Sequence, residues 1–371
     1  MRNGILGKWF VVIICACGAV AFGGPARIIY VDAGAQGAKT GSSWVDACNS
    51  LQDALAAAVA ADKPVEVRIA RGLYKPDQGA GITPGDQTAS FQLLNGVTLK
   101  GGYAGLAGPD PNARDVNLYE TVLSGDLAGN GGTDMEIARD DSCRIILGRQ
   151  VDNTAVMDGL TIAAPSWVEP SFDCLRLQQE GRARVVIDGG SPMIRDCQFV
   201  GDGHMGPDPM VLLSNDSAPT FVGCVFRASY SFKGIQSTAS KPTLVNCLFT
   251  GNKFSSMVCS KSSMVSLTNC RFESGQTGID GGDASVTLTD CTFVDNSMRA
   301  IHSSSSVVGA TNCVFERNGS AVEMLSGALT LTDCRFEGNK TAVGSVSDMV
   351  AVRCAFTGNS GGLAGAISAD S

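Results

Sequence analysis

Apolar and polar positions alternate with period two over the C-terminal half of the chain, and the alternation itself recurs about every twenty-two residues. Its marker is the tripeptide Cys-x-Phe, which occurs eight times: at Cys197, Cys224, Cys247, Cys270, Cys291, Cys313, Cys334 and Cys354. Three residues before each cysteine stands an apolar side chain, in order Ile194, Phe221, Leu244, Leu267, Leu288, Ala310, Leu331 and Ala351. Two further back come Pro192, Pro219, Pro242, Val265, Val286, Val308, Leu329 and Met349. In an extended strand every second side chain shares a face, so these columns predict two short strands per repeat with Cys and Phe facing inward. A polar slot separates the two strands: Asp196, Asn246, Asn269, Asp290, Asn312 and Asp333, with Gly223 and Arg353 as departures. Asn and Asp tolerate left-handed backbone, which predicts a tight bend. A second slot, after the phenylalanine, holds Asn252, Asn296, Asn318, Asn339 and Asn359 and reads as the next corner.

A third, leading strand is predicted upstream. Val185, Leu212, Ile235, Val258, Ile279, Ile301 and Val322 recur twelve positions before the cysteine, and Val343 eleven before. The distance from each cysteine to the following leading strand varies and is longest after Cys197. Three short strands, two tight corners and one variable corner describe a parallel β-helix, an all-β solenoid in which no coil buries its own apolar face. A leucine-rich repeat has a similar period, but its Leu and Asn spacing is absent.

The region before the repeats reads differently. Residues 50–61 predict a helix, capped by Asn49 or Ser50, with Leu51, Leu55 and Val59 at helical spacing. Strand-like Val65-Glu66-Val67-Arg68-Ile69 follows, then a turn-rich stretch to Ser90. Such a helix suits a lid over the unpaired edges of the first coil. Residues 1–21 carry Arg2 and Lys8, an apolar run from Trp9 and the small-residue ending Ala19-Val20-Ala21, the pattern of a cleaved export signal. Ile14-Cys15-Ala16-Cys17 loosely resembles an acylation box, which leaves lipoprotein attachment as a variant. The division expected is therefore 1–21 signal, 22–150 cap and first coils, and 151–371 repeats. The repeats stop near Ala366-Ile367, where another leading strand would begin, so a further stretch of repeats or a partner over that edge is expected.

These repeats resemble the right-handed parallel β-helix proteins of the pectin-lyase-like superfamily, and the Asn/Asp-Cys-x-Phe-x-x-Asn unit is similar to repeats in polymorphic outer-membrane proteins. The lead-in resembles that of secreted bacterial proteins of this fold at Ile29-Tyr30-Val31-Asp32, Gly41-Ser42-Ser43-Trp44, Leu51-Gln52-Asp53-Ala54-Leu55, Gly101-Gly102-Tyr103 and Leu123-Ser124-Gly125-Asp126. The resemblance implies a secreted, periplasmic or cell-surface β-helix serving as a scaffold or adhesion module, in contact with a glycan or a surface protein. It also admits an extracellular polysaccharide lyase or glycoside hydrolase.

Composition narrows the partners. A net charge of −8 and a pI near 4.9 argue against nucleic acid and anionic membranes. Of fourteen cysteines, Cys15 and Cys17 lie in the signal and eight form the repeat column. Parallel strands lie about 4.8 Å apart, near enough for a disulfide by Cα distance but with parallel Cβ vectors, so a buried thiol column is expected. Cys48, Cys143, Cys174 and Cys259 stand outside it. A column does not converge on a point, so no metal centre is expected.

In pectin-lyase-like enzymes the substrate groove follows the face of the leading strands. The residue after each inward position there is expected to point outward: Val186, Leu213, Gln236, Cys259, Asp280, His302, Glu323 and Gly344. Asp280, His302 and Glu323 fall in successive coils and are the candidate catalytic or ligand-binding set, with Gln236 as a further ligand contact. The small residues Gly278, Ala300, Ala321 and Ala342 beside them suggest a flat shelf for a sugar ring. The plainer reading is a set of solvated polar groups on an outer face, with carboxylates on both sides of His302. The corner from Gly201 to Pro209, containing Asp202 and His204, is similar to the Gly-His-Gly piece of polygalacturonases. It lacks their Arg-Ile-Lys partner and paired aspartates, Asp140-Asp141 lying upstream of the repeats. Pectate lyases use several carboxylates around calcium and an arginine base, whereas this column has two carboxylates and no arginine. No cofactor is expected, and calcium enters only through that comparison.

Overall fold

The computed structural model describes residues 26–130, 141–164, 183–201, 208–228, 233–344 and 348–360. The expected signal segment with Cys15 and Cys17, and also Asp140, Cys174, Asp202, His204 and the pair Ala366-Ile367, lie outside the described residues.

Each predicted strand pairs in parallel with its counterpart one coil on, forming a β-solenoid of about 7 turns with a period of about 23 residues. The Cys-Phe strands form one 11-stranded sheet, while the leading and middle strands share a 20-stranded sheet. In two coils the leading and middle strands run on as single strands, Ser255–Thr268 and Thr277–Thr289.

Register is what fills the core. Phe199, Phe226, Phe249, Phe272, Phe293, Phe315, Phe336 and Phe356 are paired in one continuous column. Their rings stack nearly parallel, with centroids 4.5–5.1 Å apart. That spacing is the strand spacing, so the backbone ladder dictates the ring contacts. The polar slot before each cysteine is left-handed in all eight repeats, with φ between 51° at Asn269 and 63° at Gly223. Arg353 adopts the same conformation without a short polar side chain, and its guanidinium spans both carboxylate oxygens of Asp333 at 2.6 Å.

The cysteines of the column are unpaired and buried, except for a half-buried Cys354. Every one donates its thiol proton to the carbonyl two residues back, as in Cys197 to Arg195 and Cys313 to Thr311. A thiol is thus small enough for the core and still closes the bend that precedes it. Burial pushes the Cys197 and Cys259 thiols up to about 12. Cys48 is also a buried free thiol, whereas Cys143 is disulfide-bonded.

The second polar slot is an internal ladder rather than a simple corner. Asn296 Nδ2 donates to Asn318 Oδ1 at 2.9 Å, Asn318 to Asn339 at 3.0 Å and Asn339 to Asn359 at 2.9 Å. The same amide nitrogens also reach the carbonyls of Phe272, Phe293 and Phe315. Asn296, Asn318 and Asn339 are each at most 1% exposed, so these bonds satisfy groups that have no access to water.

Two sequence expectations need correction. The helix spans Leu51–Ala60, with Ser50 as its cap accepting from the Asp53 N–H, but its buried face is Leu51, Ala54, Leu55 and Ala58. Val59 is exposed, because the helix packs on the first coils through the positions three, four and seven residues after Leu51. In the leading strands, Val211 and Met257, not Leu212 and Val258, stack with Val185, Ile235 and Ile279. The corners of those two coils contain consecutive left-handed residues, Asn215-Asp216 and Lys261-Ser262, where the other described corners use one. The added residue displaces the leading strand by one position relative to the cysteine.

Two outcomes follow. Phe293→Ala removes a fully buried ring held between Phe272 and Phe315 and should cost about 3–5 kcal/mol in denaturant unfolding. Thr292→Ala, on the outer side of the same strand, should cost less than about 0.5 kcal/mol, and equal losses would contradict the assigned faces. In native protein, iodoacetamide followed by mass spectrometry should modify Cys354 first, and Cys197 and Cys259 only after unfolding.

Candidate functional site

The leading strands carry a column in which ionisable side chains of several successive coils line up. Gln236, Val258, Asp280, His302, Glu323 and Gly344 occupy consecutive register positions, about 4.8 Å apart. The structure thus brings Gln236, Asp280, His302 and Glu323 onto one face, as expected. It does not place Leu213 or Cys259 there. Both are buried, one register position further on, through the displacement described above.

His302 Nδ1 lies 2.9 Å from Asp280 Oδ1, and Ser255 Oγ donates to Asp280 Oδ2 at 3.4 Å. Glu323 does not close on the imidazole. Its Oε2 accepts from Arg299 Nε at 2.5 Å, so only one of the two carboxylates touches His302. Arg299 is also the arginine that sequence reading placed nowhere near this column. It stands three residues before His302, and simple alternation would put it on the opposite face. Here Ala300 and Ile301 are both buried in succession, which returns Arg299 to the outside. One coil group upstream, Lys233 Nζ lies 3.4 Å from Gln236 Oε1. The charges of Lys233 and Arg299 balance those of Asp280 and Glu323, leaving a strip of hydrogen-bonding groups with no net charge when His302 is neutral.

The proposed shelf is absent. Ala300, Ala321 and Ala342 are at most 2% exposed and Gly278 is buried. They are small because the phenylalanine column lies beneath them: a Cβ on Gly278 would sit 2.9 Å from the Phe293 ring and 2.5 Å from the Ala300 carbonyl. The strip also has a definite beginning. At the preceding levels Val186 and Leu212 face outward yet are buried, in a cluster with Leu147 and Ala183. The accessible part therefore runs from Gln236 to Gly344.

Elsewhere the lead-in glycines serve packing. A side chain on Gly101 would collide with the Gly159 carbonyl at 2.5 Å, and Tyr103 packs against Trp44 with ring centroids 5.7 Å apart. Buried Asp158 is held by Arg114 at 2.5 Å and Arg195 at 2.9 Å, a closed ion-pair group. Among the described residues, no three His, Cys, Asp or Glu side chains converge on a point.

Comparison with known proteins agrees with this geometry. The profile of the family described as "Right handed beta helix region" matches residues 175–311. Among solved structures, pectate lyase Pel9A superposes with a TM-score of 0.58 at 14% identity, over 89% of this chain and 80% of that one. The catalytic unit of a thermostable GH87 α-1,3-glucanase from Streptomyces thermodiastaticus strain HF3-3 gives 0.38 at 13% identity, over 91% and 70%. PfbA, a surface adhesin of Streptococcus pneumoniae, gives 0.31 at 12%, over 83% and 88%. At those scores the last two add nothing to the fold assignment. No curated protein sequence matches the chain. The chain has the right-handed parallel β-helix fold, and its similarity to the solved structures is one of fold.

The Arg299–Glu323 pair is a direct check on the strip. Arg299→Ala and Glu323→Gln should each lower stability by about 1 kcal/mol or less, with a coupling near 0.5 kcal/mol in a double-mutant cycle. Additive losses would mean that the pair does not form in solution.

Proposed function

We propose that this chain is an exported β-helix that acts as a scaffold or adhesion module and contacts glycans along the strip from Gln236 to Gly344. One observation carries the reading: hydrogen-bonding side chains of Asp280, His302, Arg299 and Glu323 are held in fixed pairs on successive coils, on an accessible face. A linear glycan presents hydroxyl donors and acceptors at a repeat close to the coil spacing, and a prepaired surface loses little entropy on meeting it. The leader pattern of residues 1–21 supports export, as does the disulfide at Cys143.

The enzyme reading has one observation in its favour, the arrival of Arg299 beside the Asp280–His302 pair. Against hydrolysis stands the state of the carboxylates. A glycosidase opposes two of them across a scissile bond, one as acid and one as base or nucleophile. Here Asp280 is engaged by His302 and Glu323 by Arg299.

A panel of immobilised and soluble polysaccharides separates the readings. Wild-type protein should bind a subset without releasing reducing ends or unsaturated products, and Asp280→Ala/Glu323→Ala should weaken binding at least about tenfold. Turnover by wild type that vanishes in the double variant would establish the enzyme instead.

A further inference from the structure

The middle strands turn a face of their own outward, and over seven coils its two central columns carry no charge. One column runs in register from Thr220 to Val350 and the other from Val222 to Val352, and every position in them is Thr, Ser, Val or Gly. Strand propensity accounts for Thr and Val but not for the missing charges. In the same coils the Cys-Phe strands carry Arg271, Glu273, Arg335 and Glu337 on their outer side, and the leading strands carry Asp280 and Glu323. A third column begins at Met264 and continues through Ser285, Val307 and Ala328 to Asp348. Met264, Val307, Val350 and Val352 are 40–56% exposed, so the face is apolar as well as uncharged.

The face is also regular. The register shift within Ser255–Thr268 falls between Ser260 and Ser263, in the corner before the face, and none interrupts the middle strands themselves. Three columns over seven coils cover roughly 600 Å² at a spacing of about 4.8 Å between strands and a rise of about 3.3 Å per residue. Two such faces in contact would bury about 1,200 Å², the lower bound for a specific interface. In a chain of net charge −8, this is where a second copy can approach without like charges meeting at the centre. The three columns hold no aromatic ring on which a sugar could stack.

We propose that this face joins two copies of the chain, side by side and pointing the same way. Two sheets packed face to face are related by a twofold axis lying between them, along either the solenoid or the strands. With the axis along the solenoid, each coil meets its own copy, and the Met264 column lies over the bends that contain Asp290 and Arg353. Asp348 of one copy then faces Arg353 of the other, and both are exposed. With the axis along the strands, the order of coils is reversed and the central coil meets itself. That sets Asp290 against its own image and leaves Asp348 opposite no charge. Charge complementarity selects the first arrangement, which brings both N-terminal lids to the same end.

The test is sedimentation equilibrium combined with small-angle X-ray scattering. Wild type should pass from monomer to dimer across micromolar concentrations. Thr287→Arg, at an exposed position in the central coil, sets two cations together near the axis and should raise the dissociation constant at least about 100-fold. Thr292→Arg, on the Cys-Phe face, should leave it unchanged, with both variants matched to wild type by circular dichroism. Scattering by wild type needs no variant. Eight register steps separate Thr287 from Ile28 and three separate it from Val350. The proposed dimer therefore keeps the length of the monomer, whereas the reversed one is about 24 Å longer, five strand spacings. A monomer at every concentration, or a dimer that Thr287→Arg does not weaken, overturns the proposal, and a dimer of the greater length overturns its orientation. A monomer that loses polysaccharide binding in Thr287→Arg would give the face to a glycan instead.

Discussion

In-register parallel pairing of one coil on the next is the constraint from which the rest of the molecule follows. Because like positions lie about one strand spacing apart, each choice of side chain is made eight times over, and its neighbours above and below are copies of itself. That turns Phe into a ring stack, Cys into a thiol column and Asn into a hydrogen-bonded ladder. A residue type persists only where it is compatible with its own image. Phenylalanine and asparagine meet that condition because a ring stacks on a ring and an amide bonds to an amide. A bare charge does not, which is why ionisable columns here alternate in sign or pair sideways, as Asp280, His302, Arg299 and Glu323 do.

The same constraint explains what was legible in the sequence. The Cys-Phe and middle strands were readable residue by residue, since one face is always apolar and the other polar, and the left-handed bends carry their own Asn and Asp. The leading strands were less so. Around Val211-Leu212-Leu213 and Met257-Val258-Cys259 every residue is apolar, so alternation gives no phase, and counting back from the cysteine misplaces both coils by one. Asp280, His302 and Glu323 were found because their coils keep a single left-handed corner residue. Arg299 was missed because two buried residues in a row, Ala300 and Ile301, break the period on which face assignment depends. The alanines read as a shelf were small for the opposite reason, having aromatic rings beneath them rather than a ligand above.

Asparagine at a corner and asparagine in a ladder look alike in sequence, and only burial distinguishes them. Those before the cysteine serve the bend and bond across coils at the exposed surface, as Asn269 does to Asn246, while those after the phenylalanine bond to one another inside. The distinction also bears on Gly275, which stands in the ladder position between Asn252 and Asn296. On the outside, glycine for asparagine is a neutral exchange of one bend-former for another, as Gly223 illustrates among the left-handed corners. Inside, it removes an amide on which the next coil's oxygen depends. A periodic structure makes such a departure conspicuous.

The doubled left-handed corners at Asn215-Asp216 and Lys261-Ser262 have a consequence for how such chains vary in length. A single inserted residue within a strand would turn every later side chain of that strand inside out, burying charge and exposing rings. At a bend the insertion is absorbed locally, since the two left-handed residues swing the backbone outward and the following strand re-enters in phase. Corners are therefore the splice points of the coil, where length can drift while the inner lattice of aromatic, thiol and amide side chains stays in step.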